Sequence, residues 1–261
     1  MRRQSRIRDL YQRDLLLIRK HEGGFQMRIA TWNVERLKHR NELDAIHKAC
    51  DAARADILVL TEADARVAPD YRFCYRTSSL KGVEVPILYR GEIVPVRYAD
   101  TENRVSIFTN YRCLKAYATF DRFTAVCVEL ETELGSLLVY GTIIGVFGNR
   151  EASFQPDLER QMEDIRRLSG EGRNVCLAGD YNLSFADNYY HTTLGRETAQ
   201  NALRCAGISI LTAERSACID HIAISDSFMA GHRVTDIEEW NIDKTLSDHK
   251  GIMIGPVQRF L

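Results

Sequence analysis

Cys176-Leu177-Ala178-Gly179-Asp180-Tyr181-Asn182 is the stretch on which the reading of the chain turns. An apolar run of strand length ends in a glycine, then delivers a carboxylate and an amide two residues apart. In extended backbone, residues i and i+2 face the same side. The spacing therefore predicts that Asp180 and Asn182 point into one pocket. A carboxylate there can act as general base on water. An amide beside it can orient that water or donate to a phosphoryl oxygen. A side-chain-to-backbone turn after the strand is the plain structural alternative.

Four other polar motifs abut apolar runs in the same way. In Thr31-Trp32-Asn33-Val34-Glu35, Asn33 follows a strand-like run, where an amide can bind a metal or a phosphate oxygen or simply cap a turn. In Ile57-Leu58-Val59-Leu60-Thr61-Glu62, a carboxylate ends a buried strand. Burying it unpaired is costly, and either a hard cation with oxygen ligands or an arginine removes that cost. In Ile219-Asp220-His221-Ile222-Ala223-Ile224, Asp220 interrupts the onset of a strand, and His221 reads equally well as a core or edge histidine. Leu246-Ser247-Asp248-His249 precedes the last strand. An Asp-His pair there suits metal ligation and charge stabilisation of a phosphate, with Asp220 available to orient the imidazole. A helix cap or loop pair is the alternative.

Between these motifs the chain alternates short β-type runs with few helices. Strands are expected over 28–32, 56–61, 85–89, 105–109, 124–130, 137–142, 174–178, 218–224 and 251–254. Many lack polar alternation, as strands covered on both faces do. Helices are expected over 42–53, 156–168 with Pro156 at the start, and about 194–205. Long runs of strands without an intervening helix favour two packed sheets with helices outside them over a strict βαβ repeat.

The 261 residues contain five prolines and no repeat or linker, so one domain is expected after an N-terminal extension. Residues 1–26 hold seven Arg/Lys and three Asp/Glu, which leaves about −5 on the body for a net charge of −1. A body of that charge does not resemble a general nucleic-acid binder, which normally carries a basic excess. Residues 2–20 read as a basic amphipathic helix. Met27 immediately precedes the first strand, so residues 1–26 are expected to be dispensable and 27–261 to form the catalytic domain. Seven cysteines without C-x-x-C spacing read as reduced, buried thiols of a cytoplasmic protein. No apolar run approaches the ~20 residues of a membrane span. Neither membrane insertion nor a protein partner is expected.

Together and in order, TWNVE, LTEAD, AGDYN, IDHI and SDH resemble the endonuclease/exonuclease/phosphatase superfamily, the DNase I-like fold, over about Arg28 to Ile254. The resemblance implies an α/β (α+β) four-layer αββα sandwich with its site at one end of the sheets. It implies Glu62 as principal metal ligand, Asn33 nearby, Glu35 as a metal-proximal acid and Asp248 near the metal. Asp180 is implied to activate water, Asn182 to position the water or the phosphate, and His249, oriented by Asp220, to stabilise phosphoryl charge. Mg²⁺ or Mn²⁺ suits such a donor set. The implied activity is in-line hydrolysis of a phosphodiester, with nucleic acid or a nucleotide among the substrates. A phosphomonoesterase and a binding protein without turnover are the alternatives.

One departure stands out. Many relatives carry a His or Tyr where this chain has Ile143, and Tyr140, Asn149 and Arg150 are the nearby candidates to replace it. Arg160-Gln161 resembles an Arg-Gln element of some relatives or is an exposed helix face. In the insert Tyr189-Tyr190-His191-Thr192-Thr193-Leu194-Gly195-Arg196, Arg196 is a candidate phosphate contact, and the tyrosines either stack on a base or pack.

Overall fold

The computed structural model describes residues 26–89 and 92–259. The segment 2–20 expected to form a basic helix, and most of the N-terminal extension, lie outside the described residues. In chain order the elements are β1 (Gln26–Asn33), α1 (Leu43–Ala52), β2 (Ile57–Thr61), β3 (Phe73–Arg76), β4 (Glu84–Tyr89), β5 (Glu92–Arg97), β6 (Val105–Thr109), β7 (Arg112–Tyr117), β8 (Ala125–Thr132) and β9 (Gly135–Ile143). They continue with α2 (Phe154–Ser169), β10 (Val175–Asp180), α3 (Thr193–Cys205), β11 (Ile208–Ile210), β12 (Asp220–Ser225), α4 (Asp226–Met229), β13 (His232–Val234), β14 (Ile237–Trp240) and β15 (Gly251–Arg259).

Seven strands form a first sheet in the order β13-β15-β1-β2-β6-β3, with β14 also paired to β15. Six form a second in the order β11-β12-β10-β9-β8-β7. The strand period of two sorts the side chains into layers. From β1 and β2, Met27, Ile29, Ile57 and Val59 face the second sheet and meet Val139, Cys176, Ala178 and Ile222. Their neighbours Ala30, Trp32, Leu58 and Leu60 face outward, against Ile46 and Cys50 of α1. On the far side, Leu138, Tyr140 and Leu177 pack against Leu158, Met162 and Ile165 of α2 and Ala199 and Leu203 of α3. The result is the expected αββα sandwich. Apolarity on both strand faces is what made these segments legible.

The strand expected over 85–89 forms as β4, which among the described residues pairs with β5 alone, in a separate two-stranded hairpin with Pro86 opposite Pro95. Proline offers no N–H to a ladder, so such strands stay at edges. Among the described residues, no helix is long and apolar enough to cross a membrane.

Candidate active site

The two sheets end together at one edge of the sandwich, and each delivers polar side chains into the gap. β10 and β12 run antiparallel, with Asp180 directly opposite Asp220. Both carry on the inward parity of Ala178 and Ile222, so both carboxylates face the first sheet. Asn33 ends β1 with the same parity as Ile29, facing back. Its Nδ2 donates to Asp180 Oδ2 at 3.1 Å, bridging the sheets.

Asp180 and Asn182 come together by a route other than strand alternation. Asn182 has φ +51°, outside the strand. Its backbone N–H donates to Asp180 Oδ1 at 2.8 Å, so the turn alternative is realised within the site. Asn182 Nδ2 donates to the carbonyls of Ile144 (2.9 Å) and Gly145 (3.1 Å). Because carbonyl partners require the amide nitrogen on that side, Oδ1 points the other way, and among the described residues no donor to it is found. The side chain offers the site an acceptor and not the expected donor to a phosphoryl oxygen. Gly179 sits at φ +145°, and a Cβ there would collide with the Thr142 carbonyl. Only glycine lets β10 run this close to β9.

The loop 247–249 closes the site from the other end of the chain. Trp32 Nε1 donates to the His249 carbonyl at 3.2 Å, and Ser247 Oγ donates to the Asn33 carbonyl at 2.6 Å. These bonds bring the imidazole beside the β10–β12 pair. His249 Nδ1 donates to Asp220 Oδ2 at 2.6 Å. Its Nε2 lies 3.6 Å from Oδ1 of the exposed Asp248. Burial pushes the His249 pKa down, but Asp220, with Asp180 and Asp248 behind it, wins and holds it at about 10. The ring is therefore a cation at neutral pH. Burial pushes Asp180 up to about 7, against the pull of the His249 charge and with the repulsion of Asp220 and Glu62 added.

The first sheet contributes Glu62 and Glu35. Burial raises the Glu62 pKa, while the charge of His249 and a hydrogen bond from Asn33 oppose the rise. Glu35 is engaged elsewhere. Its carboxylate meets Lys38 Nζ at 2.5 Å and His39 Nε2 at 3.4 Å, and it accepts the Asp248 N–H at 3.2 Å. Burial raises its pKa, but Lys38 and the other partners bring it below the usual range. Asn33 Oδ1 accepts the Glu35 N–H at 2.8 Å, so its amide N–H faces the carboxylates. In this geometry Asn33 and Glu35 tie the site together, and Glu62 faces the charges of His249, Lys38 and Asp248.

Ligand atoms of Asp180, Asp220 and His249 all lie within 4.8 Å of one another. Asp220 Oδ1 is buried and, among the described residues, has no hydrogen-bond partner. An ordered water satisfies such an oxygen, while Glu62, hydrogen-bonded by Asn33 and faced by Asp248, supplies the oxygen-rich donor set that suits a hard divalent ion. The residues present thus fit such a group.

A cleft of about 310 Å³ opens onto this cluster, lined by Asn182, Tyr190, Asp220, Asp248 and His249 and walled by Tyr189, Lys244 and Lys250. Lys244 Nζ donates to the Tyr189 hydroxyl at 2.8 Å and also lies 5.0 Å from the ring centroid. Sequence reasoning missed both lysines, although each lies within a few residues of the Ser-Asp-His motif.

Other candidates are drawn elsewhere. Arg196 donates to the Asp187 carbonyl within its own loop. The Tyr140 hydroxyl donates to Asp164 at 3.1 Å on the outer face. Arg160 is exposed. Gln161 is buried and donates to the Ile143 carbonyl at 2.8 Å, so it fixes the end of β9. His221 is a core residue: its Nε2 donates to the Leu183 carbonyl at 2.9 Å, its Nδ1 accepts from Thr212, and burial drops its pKa to about 4. Ile143 pairs in parallel register with Asp180 and is buried between the sheets. The floor beside the carboxylate is therefore apolar.

Acids and a histidine are thus gathered at one end of the two sheets. The chain belongs to the endonuclease/exonuclease/phosphatase family, whose model matches residues 30–249. It is similar in structure to the 3'-5' exonuclease NExo from Neisseria meningitidis (TM-score 0.61, 15% identity, covering 87% of this chain and 98% of that one). The 3' phosphatase NExo from Neisseria bound to a product DNA hairpin aligns with TM-score 0.59 and 17% identity over 87% and 98%. An endonuclease/exonuclease/phosphatase from Beutenbergia cavernae aligns with TM-score 0.59 and 14% identity over 90% and 72%. A comparison with curated proteins finds no match.

Proposed function

We propose that the protein is a divalent-metal-dependent phosphodiesterase that works by in-line attack of water, with Mg²⁺ or Mn²⁺ as the ion. The observation that carries this reading is the Asp180–Asp220–His249 cluster: a carboxylate of raised proton affinity beside an imidazolium locked at 2.6 Å on a second carboxylate. Asp180 takes the proton from the attacking water, and its raised pKa makes it a stronger base than an ordinary carboxylate. The Asn182 Oδ1 accepts a second hydrogen bond from that water and fixes its direction. With Nδ1 held by Asp220, the Nε2–H of His249 is left to donate to a non-bridging phosphoryl oxygen as charge develops there. Glu62 and Asp248 would hold the cation, which supplies charge neutralisation at the phosphoryl oxygens. Glu35 and Asn33 keep those acids in place.

The diester reading draws support from the cleft wall. Lys244 and the half-exposed Tyr189 extend beyond the reacting centre and offer contacts to a second ester group, while Lys250 is held by Glu239 and the Ser216 carbonyl. Of the structural relatives, the 3'-5' exonuclease acts on such a diester, while the DNA-bound 3' phosphatase acts on a phosphomonoester, the second reading. A panel of DNA, RNA, nucleotides and phospho-sugars, run with Mg²⁺ or Mn²⁺ and with a chelator, tests it alongside paired chromogenic diester and monoester substrates. Metal-dependent cleavage of diesters is expected. Preference for monoesters would move the substrate class, and a folded protein inactive on the whole panel would leave only a binding role.

A further inference from the structure

Ile143 leaves the floor of the site without a polar group, yet one hydroxyl reaches the same region from another loop. Tyr190 is half-buried and lines the cleft with Asn182, Asp220 and His249. Its main chain is fixed by two bonds to Ser184, which lies two residues beyond Asn182. The Ser184 N–H donates to the Tyr190 carbonyl at 2.6 Å, and the Tyr190 N–H donates to Ser184 Oγ at 3.2 Å. The phenol position is thus tied to the Asp180–Asn182 turn. The opposing loop is shaped around this hydroxyl. Gly148 has φ +96°, and a Cβ there would collide with Tyr190 Oη. The backbone N–H of the next residue, Asn149, donates to the Tyr190 oxygen.

With Asn149 occupying a lone pair, the hydroxyl proton is directed away from that loop. We propose that the Tyr190 hydroxyl donates to a non-bridging oxygen of the substrate phosphoryl group, supplying from loop 182–196 the contact that Ile143 cannot make from β9. This rests on the phosphoesterase reading above. Burial, then the nearby Asp180 charge, raises the pKa of the phenol and outweighs the Asn149 bond and Arg150, which lower it. The group therefore stays a donor at neutral pH.

The test compares Tyr190→Phe with the wild type in kcat, KM, melting temperature and affinity for inorganic phosphate in the presence of Mg²⁺. Removing one preorganised donor is expected to lower kcat by about 10- to 100-fold, leave KM and melting temperature nearly unchanged, and weaken phosphate binding several-fold. Gly148→Ala, which displaces the hydroxyl without deleting it, should move kcat and phosphate affinity the same way. Wild-type kcat and phosphate affinity in Tyr190→Phe would overturn the proposal while leaving the phosphoesterase reading intact. If the wild type cleaves no phosphate ester, that reading fails separately. Phosphate affinity then decides Tyr190: weaker binding in the Phe variant supports the contact, and unchanged binding overturns it.

Discussion

At the end of the first sheet, Glu35 and Glu62 leave their strands in left-handed backbone, with φ of +50° and +44°. At the end of the second, Asp180 and Asp220 still belong to their strands and face each other across the ladder. The first arrangement is held by loop contacts. Glu35, Arg36 and Leu37 are all left-handed, a conformation that costs a non-glycine residue about 1–2 kcal/mol. Backbone bonds from Val34 to Thr61 and from Arg36 to Glu62, with the Arg36–Glu102 ion pair at 2.7 Å, offset it. The second arrangement inherits its geometry from the sheet. We infer a division of labour from the contrast: loop-borne Glu62 holds a cation with Asp248 while Glu35 braces that loop, and the acids on rigid strands move a proton and orient an imidazolium.

Removing a reacting group should have the largest effect. His249→Ala is expected to lower turnover by at least about 100-fold, measured as kcat on the best panel substrate. Loss of a first-sheet acid should act on the ion instead. Calorimetry of Glu62→Ala with Mn²⁺ should show binding weakened by about tenfold or more, the scale on which metal-site groups act, and unchanged binding would remove Glu62 from the cation site. Asp220→Asn deletes the main group that raises the His249 pKa toward 10. Its activity should therefore fall away at a lower pH than that of the wild type, seen as a shifted alkaline limb in the pH–kcat profile. His221 gives the smallest effect and leaves the chemistry alone. Its folded pKa of about 4 lies below the usual 6.5, so below pH 6.5 the unfolded chain takes up a proton that the folded chain refuses. Stability should drop by about 2 kcal/mol between pH 7 and pH 5 from this residue, and chemical denaturation of His221→Gln should show a shallower slope.

The sandwich was legible because β1, β2, β9 and β10 are apolar on both faces and end in polar residues. The site's parts list was legible for the same reason. Less visible were contacts between loops far apart in sequence. The capture of Glu35 by Lys38 depends on a left-handed turn that composition does not announce. The Asn182 amide is turned by carbonyls of Ile144 and Gly145, some 37 residues away. Gln161 looked like one side of an exposed helix, yet its position on the buried stripe with Leu158, Met162 and Ile165 places it inside. The strand β4 was legible as an apolar run, but its pairing with β5 was not, because such a run alone does not name its partner; Pro86 and Pro95 fit its place outside the two large sheets.

The division between the two sheet ends is tested most directly by Asp180→Asn, an isosteric change that removes the base and keeps its shape. Turnover and Mn²⁺ binding should be measured on the same preparation. The expected result is a loss of at least about 100-fold in kcat with Mn²⁺ affinity within a few-fold of wild type. Near-wild-type turnover would contradict the role of Asp180 as base, and a loss of Mn²⁺ binding that accounts for the lost rate would contradict the division itself.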